Sequence, residues 1–212
     1  MTAYSVFRWL DGSGWLILAG SGLEEVRAYA LSRAAADGAV AVMAENPGIA
    51  DAVLADLEDL GAPAGYIVDA VTEPDDDIQA KVGEAGFIVV HADTDPDSVR
   101  SLIAGAAVQA MESAFQNGAV VLVEGTAAQT LGAWILSDGT VPDGFGWLAG
   151  AVIELGPPPV GGEALAVLEH HPDGLAMVLA EDAALAFGPD GQVELWGSRR
   201  VAVTLGAAWG DA

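Results

Sequence analysis

The chain has no cysteine among its 212 residues, which excludes a disulfide framework, a thiolate zinc site and a cysteine nucleophile. Basic side chains are nearly as scarce. Six Arg and one Lys stand against 31 Asp and Glu, a formal charge of −24. The few cations form no stripe, and a field of that sign repels phosphate backbones and anionic lipid heads, so nucleic acid and membrane surfaces are not expected partners. Long apolar runs are missing too. The longest stretch free of charged residues runs only from Gly125 to Ser137, well short of the roughly 18–20 residues a spanning helix needs. No basic segment near the start leads into an apolar run, because Asp11 interrupts it, so no secretory signal is expected. These absences together predict a soluble, cytoplasmic protein.

What is present predicts folding. Apolar residues make up 52% of the chain and charged ones only 18%, the opposite of a disordered composition. At this length roughly 70% of the unfolded surface can be buried without staples. Near-continuous apolar runs at Trp15–Ala19, Ala39–Ala44, Gly65–Ala70, Phe87–His91 and Ala119–Val123 read as strands covered on both faces. Between them, residues 23–36 and 49–60 carry apolar side chains at three- and four-residue spacing, as Val53, Leu54, Leu57 and Leu60 illustrate, and read as helices. Residues 97–104 and 108–115 form one helix or two, and residues 127–136 another. That alternation predicts an α/β fold with a mostly parallel central sheet between helical layers. From about Gly144 the pieces shorten to Trp147–Glu154, Leu175–Leu179, Ala183–Phe187, Val193–Trp196 and Val201–Leu205, predicting a β-rich, antiparallel C-terminal part. The expectation is one domain, with residues 1–143 as parallel body and 144–212 as β-rich tail.

The segment Ala119-Val-Val-Leu-Val-Glu124-Gly125-Thr126-Ala127-Ala128 carries the most chemistry. An apolar strand entering a tight small-residue turn and then a helix is the geometry of a nucleophile elbow, in which the helix N-terminus offers N–H donors to an oxyanion. The tip residue is Ala127, which has no nucleophilic atom.

That stretch, the preceding Phe87-Ile-Val-Val-His91-Ala92-Asp93-Thr94, and Gly144-Phe-Gly-Trp-Leu-Ala-Gly150 after it resemble the cyanophycinase and dipeptidase E family of serine peptidases. The opening Gly14–Gly22, Ala180-Glu181-Asp-Ala-Ala184, Asp190–Gly197 and Arg200–Val203 are similar to further family segments, so the resemblance covers about residues 14–205. It implies a three-layer flavodoxin-like, class I glutamine amidotransferase-like fold. It also implies that the family's nucleophilic Ser falls on Ala127, its His on Gly156 and its basic substrate clamp on Val160 and Gly162, while an acidic partner persists as Glu181. A triad acts as a unit. Its loss implies a divergent, catalytically inactive member acting by binding or assembly, with no cofactor and no metal.

Pocket residues carried over are His91, Ala92, Asp93, Gly125, Thr126, Ala128 and Glu181. His91 ends a strand at the carboxyl edge of the sheet, where open α/β sheets bind ligands; it reads either as bonded to backbone or as part of a pocket with Asp93 and Glu181. The rival to inactivity is a hydrolase with a relocated site built from those three residues and Thr126. Asp95 and Pro96 read as a helix cap and first turn rather than a calcium loop, and Glu73–Asp77 as a solvated loop and helix start. Adjacent His170 and His171, before Pro172, read as a helix end whose rings diverge, so no metal is expected there. Six Trp, with Trp9, Trp196 and Trp209 at edge or terminal positions, suggest interface anchors. A homodimer and an unidentified small-molecule or peptide ligand are the expected partners.

Overall fold

The apolar runs become the strands β1 (Trp15–Ala19), β2 (Ala39–Ala44), β3 (Gly65–Ile67), β4 (Ala85–Ala92) and β5 (Val120–Gly125) in a computed structural model of the chain, which describes residues 6–35, 38–197 and 201–211. Ala36, at the end of the first expected helix, and Arg200 lie outside the described residues. The five strands pair in parallel in the order β3-β2-β4-β5-β1. Their connections are α1 (Glu24–Arg33), α2 (Pro47–Asp59), α3 (Asp75–Gly83), and the pair α4 (Pro96–Ile103) and α5 (Ala106–Gln116), the last two separated at Gly105 by a φ of 88°.

Alternation along β1 shows why this sheet needs two covers. Leu16 and Leu18 face a core that includes Ile78 and Val82 of α3, Ile103 of α4 and Phe115 of α5, while Ile17 and Ala19 face one that includes Val26 of α1 and Val53 and Leu57 of α2. The result is a three-layer α/β arrangement, as the run of buried parallel strands predicts. Helix starts follow local rules. Asn46 accepts a hydrogen bond from the Ile49 N–H at 3.1 Å with Pro47 opening α2, and Asp95 accepts one from the Ser98 N–H at 2.9 Å with Pro96 opening α4.

Several elements differ from the expected ones. β3 stops at Ile67 because Asp69 turns the chain, its Oδ1 accepting from the N–H groups of Val71 and Thr72. Glu73–Asp77, by contrast, is the loop and helix start expected, and opens α3 at Asp75. The helix expected over 127–136 is a 3₁₀ turn, Thr126–Leu131, followed by a bridge from Trp134 to Asp143. The expected strand at 147 starts only at Ala151, after Gly150 adopts a φ of 66°.

The tail is not wholly antiparallel. β6 (Ala151–Leu155) pairs in parallel with β7 (Leu175–Leu179) because α6 (Gly162–His170) crosses between them, and β10 (Ala202–Leu205) joins β7 antiparallel. β8 (Ala183–Phe187) and β9 (Val193–Gly197) instead extend the main sheet beyond β1, both antiparallel. The small sheet packs Ile153, Leu175 and Met177 into the same core as α3–α5 and is covered on its other face by α6. No helix among the described residues is long and apolar enough to cross a membrane.

Candidate functional site

The carboxyl ends of β1, β4 and β5 converge on one group of charges. Glu124 ends the apolar run of β5 and is wholly buried. A carboxylate in that position requires partners, since an unpaired buried charge is costly. Arg27, buried on α1, supplies two parallel bonds, Nε to Oε1 at 2.9 Å and Nη2 to Oε2 at 2.7 Å, and its Nη1 reaches Asp56 of α2 at 2.6 Å. This is the planar fork geometry that guanidinium offers and ammonium does not. His91 stands opposite Glu124 in the β4–β5 register, and its Nδ1 lies 3.0 Å from Glu124 Oε2. The other ring nitrogen, Nε2, lies 3.4 Å from Asp93 Oδ2. The hydrogen bond to Glu124 raises the His91 pKa above its ordinary 6.5. Burial pulls the other way, the charges of Glu124 and Asp93 add to the rise, and Arg27 opposes it. For Arg27, burial disfavours the charge but Glu124 and Asp56 outweigh it, and the pKa is raised.

Glycine makes room for this cluster. A Cβ on Gly22 would come within 2.4 Å of Arg27 Nη2, and one on Gly125, whose φ is 66°, within 2.2 Å of the Ala92 carbonyl. Both positions therefore exclude other side chains.

Among the expected site residues, the structure brings His91, Ala92, Asp93, Gly125 and Thr126 together. Ala92 stands opposite Gly125 in the strand register, and Thr126 donates from Oγ1 to the Ala92 carbonyl at 3.0 Å, so its hydroxyl is committed to backbone. His91 is neither backbone-bonded nor paired with Glu181; its partners are Glu124 and Asp93. Glu181 lies apart, exposed, in the connection from β7 to β8, with its carbonyl accepting from Ser21 Oγ at 2.7 Å. It shares a recess of about 300 Å³ with Gly156, Pro157, Ala180 and Asp182. Gly156 and Glu181, the positions matched to the family's His and acid, thus border one recess. Ala127 and Ala128 belong to the 3₁₀ turn and are wholly buried in the main core, and Thr130 Oγ1 donates back to the Ala127 carbonyl at 2.7 Å.

Arg27, Glu124 and Asp56 are the site residues that the sequence reading omits. Glu124 had a signal: a carboxylate closing a run of four fully buried strand residues must find a cation. Nothing local indicated that the cation is Arg27, 97 residues earlier.

No protein-family model and no curated protein matches this chain. Solved structures do. One is a crystal structure of a peptidase from an acI-B1 actinobacterium, with a TM-score of 0.69 and 17% identity over 89% of either chain. The fold is that of peptidase E-type structures. A second, from Listeria monocytogenes EGD-e and provisionally named a peptidase E, has a TM-score of 0.63 and 13% identity over 88% of this chain and 99% of its own. In this chain β5 runs directly into a tight turn of Gly125, Thr126 and Ala127 that opens the 3₁₀ segment Thr126–Leu131.

Proposed function

We propose that this chain is a catalytically silent relative of peptidase E-type serine peptidases that acts by binding or assembly. The observation that carries the reading is Ala127: it occupies the turn after β5, has no nucleophilic atom, and is wholly buried. Gly156, at the position matched to the general base, adds support. Its φ of 140° suits glycine, so a histidine there would be strained even though space is open. The polar groups at the neighbouring strand ends are bonded to one another in the Arg27–Glu124–His91 cluster, which favours a structural use of that edge.

A serine-directed fluorophosphonate probe tests this directly. The purified chain is expected to stay unlabelled, and so is the Ala127→Ser, Gly156→His double variant, because a buried serine and a strained histidine do not rebuild a triad. Stoichiometric labelling of the unaltered chain would overturn the proposal.

A second reading has one observation in its favour. Glu124 fixes His91 by Nδ1 and leaves Nε2 toward Asp93, the orientation a carboxylate gives a general base. It lacks a nucleophile, since Thr126 donates to Ala92. Hydrolysis in a substrate screen that is abolished by His91→Ala and retained in Ala127→Ser would favour it over silence.

A further inference from the structure

A different part of the molecule carries unspent binding capacity. Residues Trp134–Asp143 form a hairpin: Trp134 and Asp143 are bridged antiparallel, Ser137 and Thr140 close the tip, and the Ile135 N–H donates to the Pro142 carbonyl at 2.9 Å. Directly opposed residues in an antiparallel pair show their side chains on one face, which puts Asp143 and Trp134 on the same side of the hairpin. Across from them runs α6. Glu163, Ala166, Val167 and His170 follow at intervals of three, four and seven residues, a single helical stripe. Hairpin and stripe enclose a groove of about 460 Å³, bordered also by Val141 and His171. His171 joins His170 there because it has left the helix, with φ −125° and ψ 73°, and stacks on Trp134 at 4.0 Å between ring centroids. Both histidines thus border one groove.

The polar lining of this groove is uncommitted. Several carboxylates are bonded within the protein: Glu124 to Arg27, Glu73 to Lys81, Glu194 to Arg33, Asp95 to Ser98 and Ser137, and Glu154 to the Gly161 N–H. Asp143 and Glu163 have no such partner among the described residues, nor does the indole N–H of Trp134, and the His170 ring uses only Nδ1, toward the Ala166 carbonyl. The groove therefore combines two unneutralised carboxylates, an indole, and an apolar floor of Val141, Ala166 and Val167. No group of three or more His, Asp or Glu among the described residues is placed to hold a metal ion.

We infer that this groove binds a small organic monocation with an apolar body, such as an alkyl- or arylammonium group, whether free or as the basic side chain of a peptide. The carboxylates supply the charge contact, while the indole, one face of which is stacked on His171, and the apolar lining take the carbon skeleton. The net charge of −24 raises the local concentration of such ligands. The site is independent of the elbow at Ala127 and stands whether or not that elbow is silent.

Benzylamine, with benzyl alcohol as its uncharged counterpart, tests the inference on the full chain by ¹H–¹⁵N NMR at pH 8 and low salt. The Trp134 indole resonance, assigned through Trp134→Phe, is expected to shift saturably with benzylamine and weakly or not at all with benzyl alcohol. The Asp143→Asn, Glu163→Gln double variant should weaken binding about tenfold, in line with two exposed charge contacts, and Ala166→Phe, which fills an exposed position on the helix stripe, should abolish it. N-acetyl-arginine amide in a parallel titration separates a peptide side chain from a free amine: binding of either supports the site. An unmoved Trp134 resonance with both cations, equal response to benzyl alcohol, or undiminished affinity in the double variant overturns it.

Discussion

Two polar regions of this chain solve opposite problems. At the carboxyl ends of β4 and β5, Glu124 is wholly buried and its oxygens meet Arg27 and His91, with Asp56 and Asp93 completing the outer contacts. In the groove between the hairpin and α6, carboxylates of the same chemistry lie exposed with no bond to them among the described residues. The difference teaches how to separate structural polarity from polarity that can act on a ligand. A charge inside a core must be neutralised by the fold itself, because desolvation there is not offset by water. A charge in an open groove costs the fold little and remains available. The peptidase E-type edge, where sequence motifs directed attention, is the committed region; the groove, to which no motif points, is the open one.

The sharpest way to break this comparison is to remove one partner from the committed side. Arg27→Met keeps much of the apolar stem but leaves Glu124 buried and unpaired, and a loss of about 3–5 kcal/mol is expected, the usual cost of orphaning a buried charge. Chemical denaturation measures it. Arg27→Met combined with Glu124→Leu should recover a large part of the loss, since an apolar pair of similar volume removes the orphan. A single variant as stable as the parent would show that Glu124 is solvated or neutralised in some other way, and the two regions would then differ less than described.

A smaller effect comes from His91, whose pKa is raised by its bond to Glu124. A group whose pKa is higher folded than unfolded stabilises the fold in its protonated form. That contribution is complete below the ordinary value of 6.5 and is lost as pH rises through the folded value. The melting temperature of the parent should therefore exceed that of His91→Gln most clearly near pH 6, with the gap narrowing as pH climbs toward 9. Comparing two proteins at each pH cancels the self-repulsion of the acidic surface, which both share. A gap that stays constant or widens would mean that the imidazole acts by shape alone.

How much of this was legible beforehand follows from the range of the interactions. β1, β2, β4 and β5 were readable because buried parallel strands print continuous apolar runs, and the Asp95 and Pro96 start of α4 because capping is local. The tail was misread because short strands carry no mark of their partners: Ala183–Phe187 and Leu175–Leu179 look alike, yet one extends the main sheet and the other joins a second sheet. The parallel pairing of β6 with β7 depended on recognising α6 as a crossover. At the edge cluster, His91 is legible from its position in the sheet and Asp93 through the family resemblance, but the partnership of Glu124 with Arg27 is a long-range contact with no local trace. The groove was half legible, since Glu163, Ala166, Val167 and His170 share a face of any helix. Its other wall is the hairpin 134–143, of which only Trp134 to Leu136 fall within the expected helix.

The smallest expected effect falls on the open side, and its smallness is the point. Asp143→Asn and Glu163→Gln remove carboxylates that the fold does not use, so stability should change by no more than about 0.5 kcal/mol, as for exposed positions away from any network. Relief of repulsion in a chain of charge −24 gives that small change a stabilising sign, and the sign should fade as added salt screens the surface. Denaturation at low and high salt reads both features. A loss comparable to that of Arg27→Met would place these carboxylates in the structural class and remove the distinction between the two regions. A near-zero or slightly positive change, set beside a loss of cation affinity in the same variants, assigns their cost and their use to different processes, as expected for side chains that the fold exposes without bonding.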